Sequence, residues 1–209
     1  IKMFILPITL EEIKHTINNY ESKLAGFILS PEIARMIQAN TRDISGITLK
    51  FIKTAVMSSV RLSAKEYFRP YSENIVEICQ NKGINILYDE LAEKLRIDQK
   101  VIDDLNKQMY AEDGKTIISK KSYEVILHDI VLWHFVNRKR KGTYVTPLEA
   151  ESWVVTLDYG FIIFDRNKQG SKDSIPICIH PTSLIQMMQF WMPRTIELEA
   201  ALVCAIKPM

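Results

Sequence analysis

The chain has 209 residues, 47% hydrophobic and 25% charged, which is enough for one substantial core and too apolar for disorder to be the default. Its 27 basic and 25 acidic residues leave a formal charge of +2, so the total excludes neither nucleic acid nor small molecules, and local charge has to decide. Cys79, Cys178 and Cys204 are odd in number and lack any Cys-x-x-Cys spacing, which argues against a zinc site or a disulfide framework, and no stretch approaches the roughly 18–20 uninterrupted apolar residues of a membrane span. The cytoplasm is the expected compartment.

Met3 to Leu6 is a short apolar run closed by Pro7, which suits a buried strand. No initiator methionine precedes it, so a segment of a larger protein is expected. Thr9 then opens a helical pattern through Ile13, Ile17 and Tyr20 that breaks at Gly26, and Glu12 stands at capping-box spacing from it. From Pro31 to about Lys82 the pattern is helical throughout, with apolar residues at Ile33, Ile37, Leu49, Ile52, Val56, Val60 and Leu62. Gly83 ends the last of these helices, and Ile84 to Leu87 reads as a second buried strand. A helix-rich segment follows from about Asp89 to Met109.

Ser122 caps a strongly patterned helix carrying Val125, Ile126, Ile130, Val131, Trp133, His134 and Val136, with Asp129 inside it and the run Arg138, Lys139, Arg140, Lys141 at its end. After Thr146-Pro147 a short helix leads to a third strand, Trp153 to Leu157, which ends at Asp158. Phe161 to Phe164 reads as a further strand or its hairpin continuation. Ile175 to Ile179 is a last short apolar run, followed by His180-Pro181 and a helix through Leu184, Met187, Met188 and Trp191. Apolar strands separated by helices predict an α/β fold with a mainly parallel central sheet flanked by helices.

In open parallel sheets ligands collect beyond the carboxyl ends of the strands, which directs attention to Glu12, Asp129 and Asp158. A trio of carboxylates attracts Mg2+ or Mn2+, hard cations that retain water and substrate phosphate as further ligands; two such ions could activate water and stabilise a departing phosphate oxygen. Each acid also has a plainer use. Glu12 completes a capping box, Asp129 could be an exposed helix residue, and Asp158 could form a turn before Tyr159-Gly160.

Three segments share a pattern. Pro7-Ile8-Thr9-Leu10-Glu11-Glu12-Ile13 looks like the strand-to-helix segment of PIN-like domains, His128-Asp129-Ile130-Val131-Leu132-Trp133 is similar to that family's third-acid helix, and Val154-Val155-Thr156-Leu157-Asp158 matches its strand ending Thr-x-Asp. The segment from Ile175 to Pro181 and the helix after it resemble the family's closing strand and helix. The resemblance implies a single PIN-like domain over residues 1–209, lacking its first strand and first acid, with a helical insertion at about 30–82. It also implies metal-dependent cleavage of nucleic acid, RNA favoured over DNA, with Glu12, Asp129 and Asp158 as catalytic metal ligands. The stretch between Asp129 and Asp158 is longer than in compact members, and its extra length holds the basic run.

Arg138, Lys139, Arg140 and Lys141 are candidate contacts for backbone phosphates, with Tyr144 available to stack on a base; the plainer reading is a solvated helix end whose cations offset the dipole. Most of His128, His134 and His180 read as neutral core histidines bonded to backbone rather than general bases or ligands. The methionines around Trp191 read as packing, and the apolar stretch Ala200 to Ile206 as a helix against a further domain or protein partner. The alternative to a nuclease is a catalytically degenerate PIN-like module that binds RNA or a protein partner.

Overall fold

A computed structural model of the chain describes residues 2–40, 46–111, 116–140, 142, 144, 146–170 and 174–189. Two compact units emerge, Ile1–Lys94 with Ser119–His128, and Leu95–Ile118 with Asp129–Met209.

In chain order the first unit holds β1 (Met3–Ile5), α1 (Pro7–Leu24), β2 (Ile28–Leu29), α2 (Pro31–Asn40), α3 (Gly46–Met57), β3 (Leu62–Ser63), α4 (Ala64–Glu73), α5 (Ile75–Asn81), β4 (Ile84–Ile86) and all but the last residue of α6 (Glu90–Leu95). β1 and β4 run parallel, with Met3 opposite Ile84 and Ile5 opposite Ile86, and the Leu87 amide donates to the Ile5 carbonyl. β4 can start directly after α5 because Gly83 adopts a positive φ of 74°. The core of this unit gathers Leu10 and Ile17 from α1, Phe51, Ile52 and Ala55 from α3, and Phe68, Ile75 and Cys79 from α4 and α5.

The second unit holds α7 (Gln99–Met109), most of α8 (Tyr123–Lys139), a single 3-10 turn at Pro147–Glu149, β5 (Val154–Val155), α9 (Tyr159–Gln169), β6 (Cys178–Ile179) and α10 (Pro181–Gln189). β5 and β6 are parallel, Val154 facing Cys178 and Val155 facing Ile179. Gly170, in the left-handed region, closes α9.

The fold is thus α/β and mostly helical, with short parallel strand pairs. The described strands form three two-stranded pieces, β1–β4, β2–β3 and β5–β6. Three local expectations are corrected. β1 and β4 are not the buried strands expected, since Met3, Phe4 and Asn85 are exposed and Ile5, Ile84 and Ile86 only half-buried. The segment 31–82 is not wholly helical, because Leu62–Ser63 pairs antiparallel with Ile28–Leu29. Phe161 to Phe164 is not a strand but the body of α9: Asp158 caps its start, and Phe161, Ile162 and Asp165 share its buried face. The expected apolar helix at Ala200–Ile206, with Trp191, Met192 and Cys204, lies outside the described residues. Among the described residues no helix is long and apolar enough to cross a membrane.

At the centre of the second unit is Asp165, with no exposed surface. Its Oδ1 accepts from the Trp133 indole N–H and the Gln169 amide, each at 2.7 Å, and its Oδ2 accepts from the Ile177 and Cys178 backbone amides at 2.8 and 2.9 Å. One carboxylate therefore joins α8, α9 and the entry to β6. Removing it strands buried donors, and hydrogen bonds to charged groups contribute more than neutral ones. Asp165→Ala is expected to cost at least about 3 kcal/mol of stability. Asp165→Asn should also destabilise, since an amide supplies one acceptor oxygen and brings unwanted donors. Urea unfolding of the two variants beside the wild type measures both effects.

Candidate functional site

Asp158 stands just past the carboxyl end of β5. The strand stops there because the Thr156 hydroxyl accepts from the Asp158 amide at 3.0 Å, and the Asp158 Oδ1 then accepts from the amides of Gly160 (2.8 Å) and Phe161 (3.2 Å), starting α9. The same strand pair ends, on β6, at His180. The His180 ring stacks on Tyr159 with centroids 5.4 Å apart and planes at 26°, and its Nδ1 accepts from the Thr182 amide at 3.3 Å. Since Nδ1 is the acceptor, the neutral ring carries its proton on Nε2.

Asp129 is half-buried on α8. It acts on the same strand pair: burial first, then the charges of Asp165, Asp129 and Asp158, push the Cys178 thiol of β6 well above its ordinary range, against an opposing pull from Arg140. Two of the three acids singled out from sequence thus bear on β6. Both are oxygen donors, and Mg2+ is satisfied by one or two carboxylates when water and substrate phosphate complete its shell, so their chemistry suits that ion. Among the described residues no three His, Cys, Asp or Glu side chains are grouped to hold a metal.

Glu12 belongs to the first unit and does not complete the expected capping box. Pro7 takes the first turn of α1 and Leu6 its N-cap position, so Thr9 and Glu12 both lie inside the helix, three residues apart on one face. Both reach His128, an 8% exposed residue of α8: Glu12 Oε2 lies 3.0 Å from Nδ1 and Thr9 Oγ1 lies 3.1 Å from Nε2. The connection runs acid, imidazole, hydroxyl, the order found in hydrolase triads. Here it ties α1 to the start of α8. A true capping box of the same spacing forms instead at Ser63 and Glu66, ahead of α4.

The basic run divides into separate roles. Arg138 pairs with Asp98 at 2.6 Å and holds that carboxyl below its ordinary range, while the other Asp98 oxygen caps α7 through the Lys100 amide. Lys139 lies over the Phe135 ring at 5.3 Å. Arg140 is half-buried and donates to the carbonyls of Ser152, Ile175 and Pro176, with its guanidinium 4.6 Å from the Trp153 ring centroid. It fastens the segments entering β5 and β6, a role that only a planar, five-donor side chain fills. Lys141 lies outside the described residues.

Sequence reasoning missed Asp104. Its Oδ2 is 2.7 Å from His134 Nε2 and its Oδ1 accepts from Lys168 Nζ, with Asp104 and His134 both buried. The signal was faint, because Asp104 occurs in a helix rich in acids and lysines, and its partners are 30 and 64 residues away. Comparison with known proteins gives no match: no family model fits the chain, and no curated protein or solved structure is significantly similar to it.

Burial alone would raise the Asp104 carboxyl, but the hydrogen bonds from Lys168 and His134 outweigh it and hold the group below its ordinary value. A depressed folded pKa contributes stability that is present above the unfolded value, about 4, and is lost as pH falls through the folded one. The wild type should therefore lose stability as pH drops below about 4, and Asp104→Asn should start less stable at neutral pH and lose less over that range. Urea midpoints taken from neutral pH downwards check the difference in slope.

Proposed function

We propose that the protein is a metal-dependent nuclease that hydrolyses phosphodiester bonds, with RNA the favoured substrate. The observation that carries this reading is the position of Asp158 at the carboxyl end of the parallel pair β5–β6, with the charge of Asp129 acting on the same pair. Asp129 and Asp158 are the residues that would hold Mg2+ or Mn2+. Bound there, such an ion supplies a more acidic water ligand and offsets negative charge on a phosphate.

The chain's own contribution is positioning. The two amides on Asp158 Oδ1 fix that carboxylate in one orientation, so it does not have to be ordered when a substrate arrives, and Asp129 is carried by a helix whose neighbours Ile130 and Val131 are buried. Glu12 contributes less to the reading, because its Oε2 already serves His128. That pairing favours a second reading, a degenerate module that binds RNA or a protein partner without cutting.

Incubation of labelled RNA and DNA single strands with the protein in Mn2+, Mg2+ or EDTA separates the two. Metal-dependent cleavage that falls at least about a hundredfold in Asp129→Asn, Asp158→Asn is the expected result. Asparagine caps helices as well as aspartate does, so α9 should survive the change. A wild type as inert as the double variant on both strands would replace the nuclease with the binding module.

A further inference from the structure

Tyr159 is 67% exposed, although one face of its ring is already stacked on His180. The arrangement is held in place from several sides. His180 is fixed by the Thr182 amide at the entry to α10, and Tyr159 is the first residue of α9, immediately after the Asp158 cap. Leu157, 72% exposed, precedes it, and Ile163 follows one helical turn later on the same face and is also exposed. An aromatic ring prearranged in this way loses little conformational freedom when a ligand covers it.

We propose that the Tyr159–His180 stack is a platform for an unpaired nucleobase, which makes single-stranded nucleic acid the substrate class. The shape of the surface selects the ligand. A flat ring supported by a second flat ring offers its open face to another planar π-system, and every base has one. In a duplex those faces are covered by neighbouring base pairs, so only a strand with splayed bases can use the platform. Asp158 adjoins Tyr159 in the chain, which would seat the nucleotide beside the acids assigned to hydrolysis. The proposal takes its setting from the nuclease reading but does not require cleavage for its readout.

The test measures fluorescence anisotropy of labelled RNA and DNA 12-mers, single-stranded and duplex, with the full chain carrying Asp129→Asn and Asp158→Asn so that nothing is cut. Adding Tyr159→Ala should weaken single-strand binding about tenfold and leave any duplex binding unchanged, while adding Tyr159→Phe, which keeps the ring, should bind as the parent does. Equal affinity with and without the ring would overturn the platform, as would a phenylalanine variant as weak as the alanine one, or a parent that binds no single strand. Circular dichroism of each variant confirms that α9 is retained. Binding that depends on the Tyr159 ring in a protein whose wild type cuts neither strand would sustain the platform and remove the nuclease. Metal-dependent cutting with binding indifferent to Tyr159 would do the reverse.

Discussion

A buried carboxylate must have its charge compensated, and in the second unit that requirement organises nearly everything around it. Asp165 meets four N–H donors, from an indole, a side-chain amide and two consecutive backbone amides. Because two of the donors are backbone, the path into β6 is set by the carboxylate as much as by pairing with β5, which amounts to two residues. So short a ladder contributes little by itself. The strand pair whose carboxyl end carries Asp158, Tyr159 and His180 is thus held from behind by a side chain on the helix that follows β5.

The same economy recurs at other points. Arg140 holds three carbonyls and lies against Trp153; Asp104 joins His134 to Lys168; and in the first unit Thr9 and Glu12 together satisfy both nitrogens of His128. Among the described residues no buried side-chain nitrogen or oxygen lacks a partner. Satisfied polar clusters of this kind specify one arrangement where apolar packing alone would tolerate several. Those of the second unit brace the strand pair whose carboxyl end carries Asp158 and the exposed Tyr159–His180 stack.

How much of this was legible in the chain depended on whether the signal was local. The apolar runs at Met3, Ile84, Val154 and Cys178 gave strands close to where they occur, and the caps at Ser122 and Gly83 marked real helix ends. Local chemistry misled where two signals competed. Thr9-x-x-Glu12 has the spacing of a capping box, but Pro7 has the stronger preference for a first helical turn, and the box was displaced into the helix body. Phe161-Ile162-Ile163-Phe164 looked like a strand because four adjacent apolar residues mask helical periodicity, and the residue that would have revealed the period, Asp165, is charged. Asp158 was legible as an acid at a strand end. Asp104, Asp165 and the structural use of Arg140 were not, since each is defined by partners far along the sequence.

Cys178 sits at the point where these contacts meet. Its backbone amide is held by Asp165, and burial first, then the neighbouring carboxylates, push its thiol well above its ordinary range. A protonated, enclosed thiol is a poor nucleophile, so alkylating reagents can modify it only during excursions that part β6 from its neighbours. The rate at which that one sulfur becomes labelled is therefore a clock for local opening of the strand pair, readable by mass spectrometry without introducing a foreign probe.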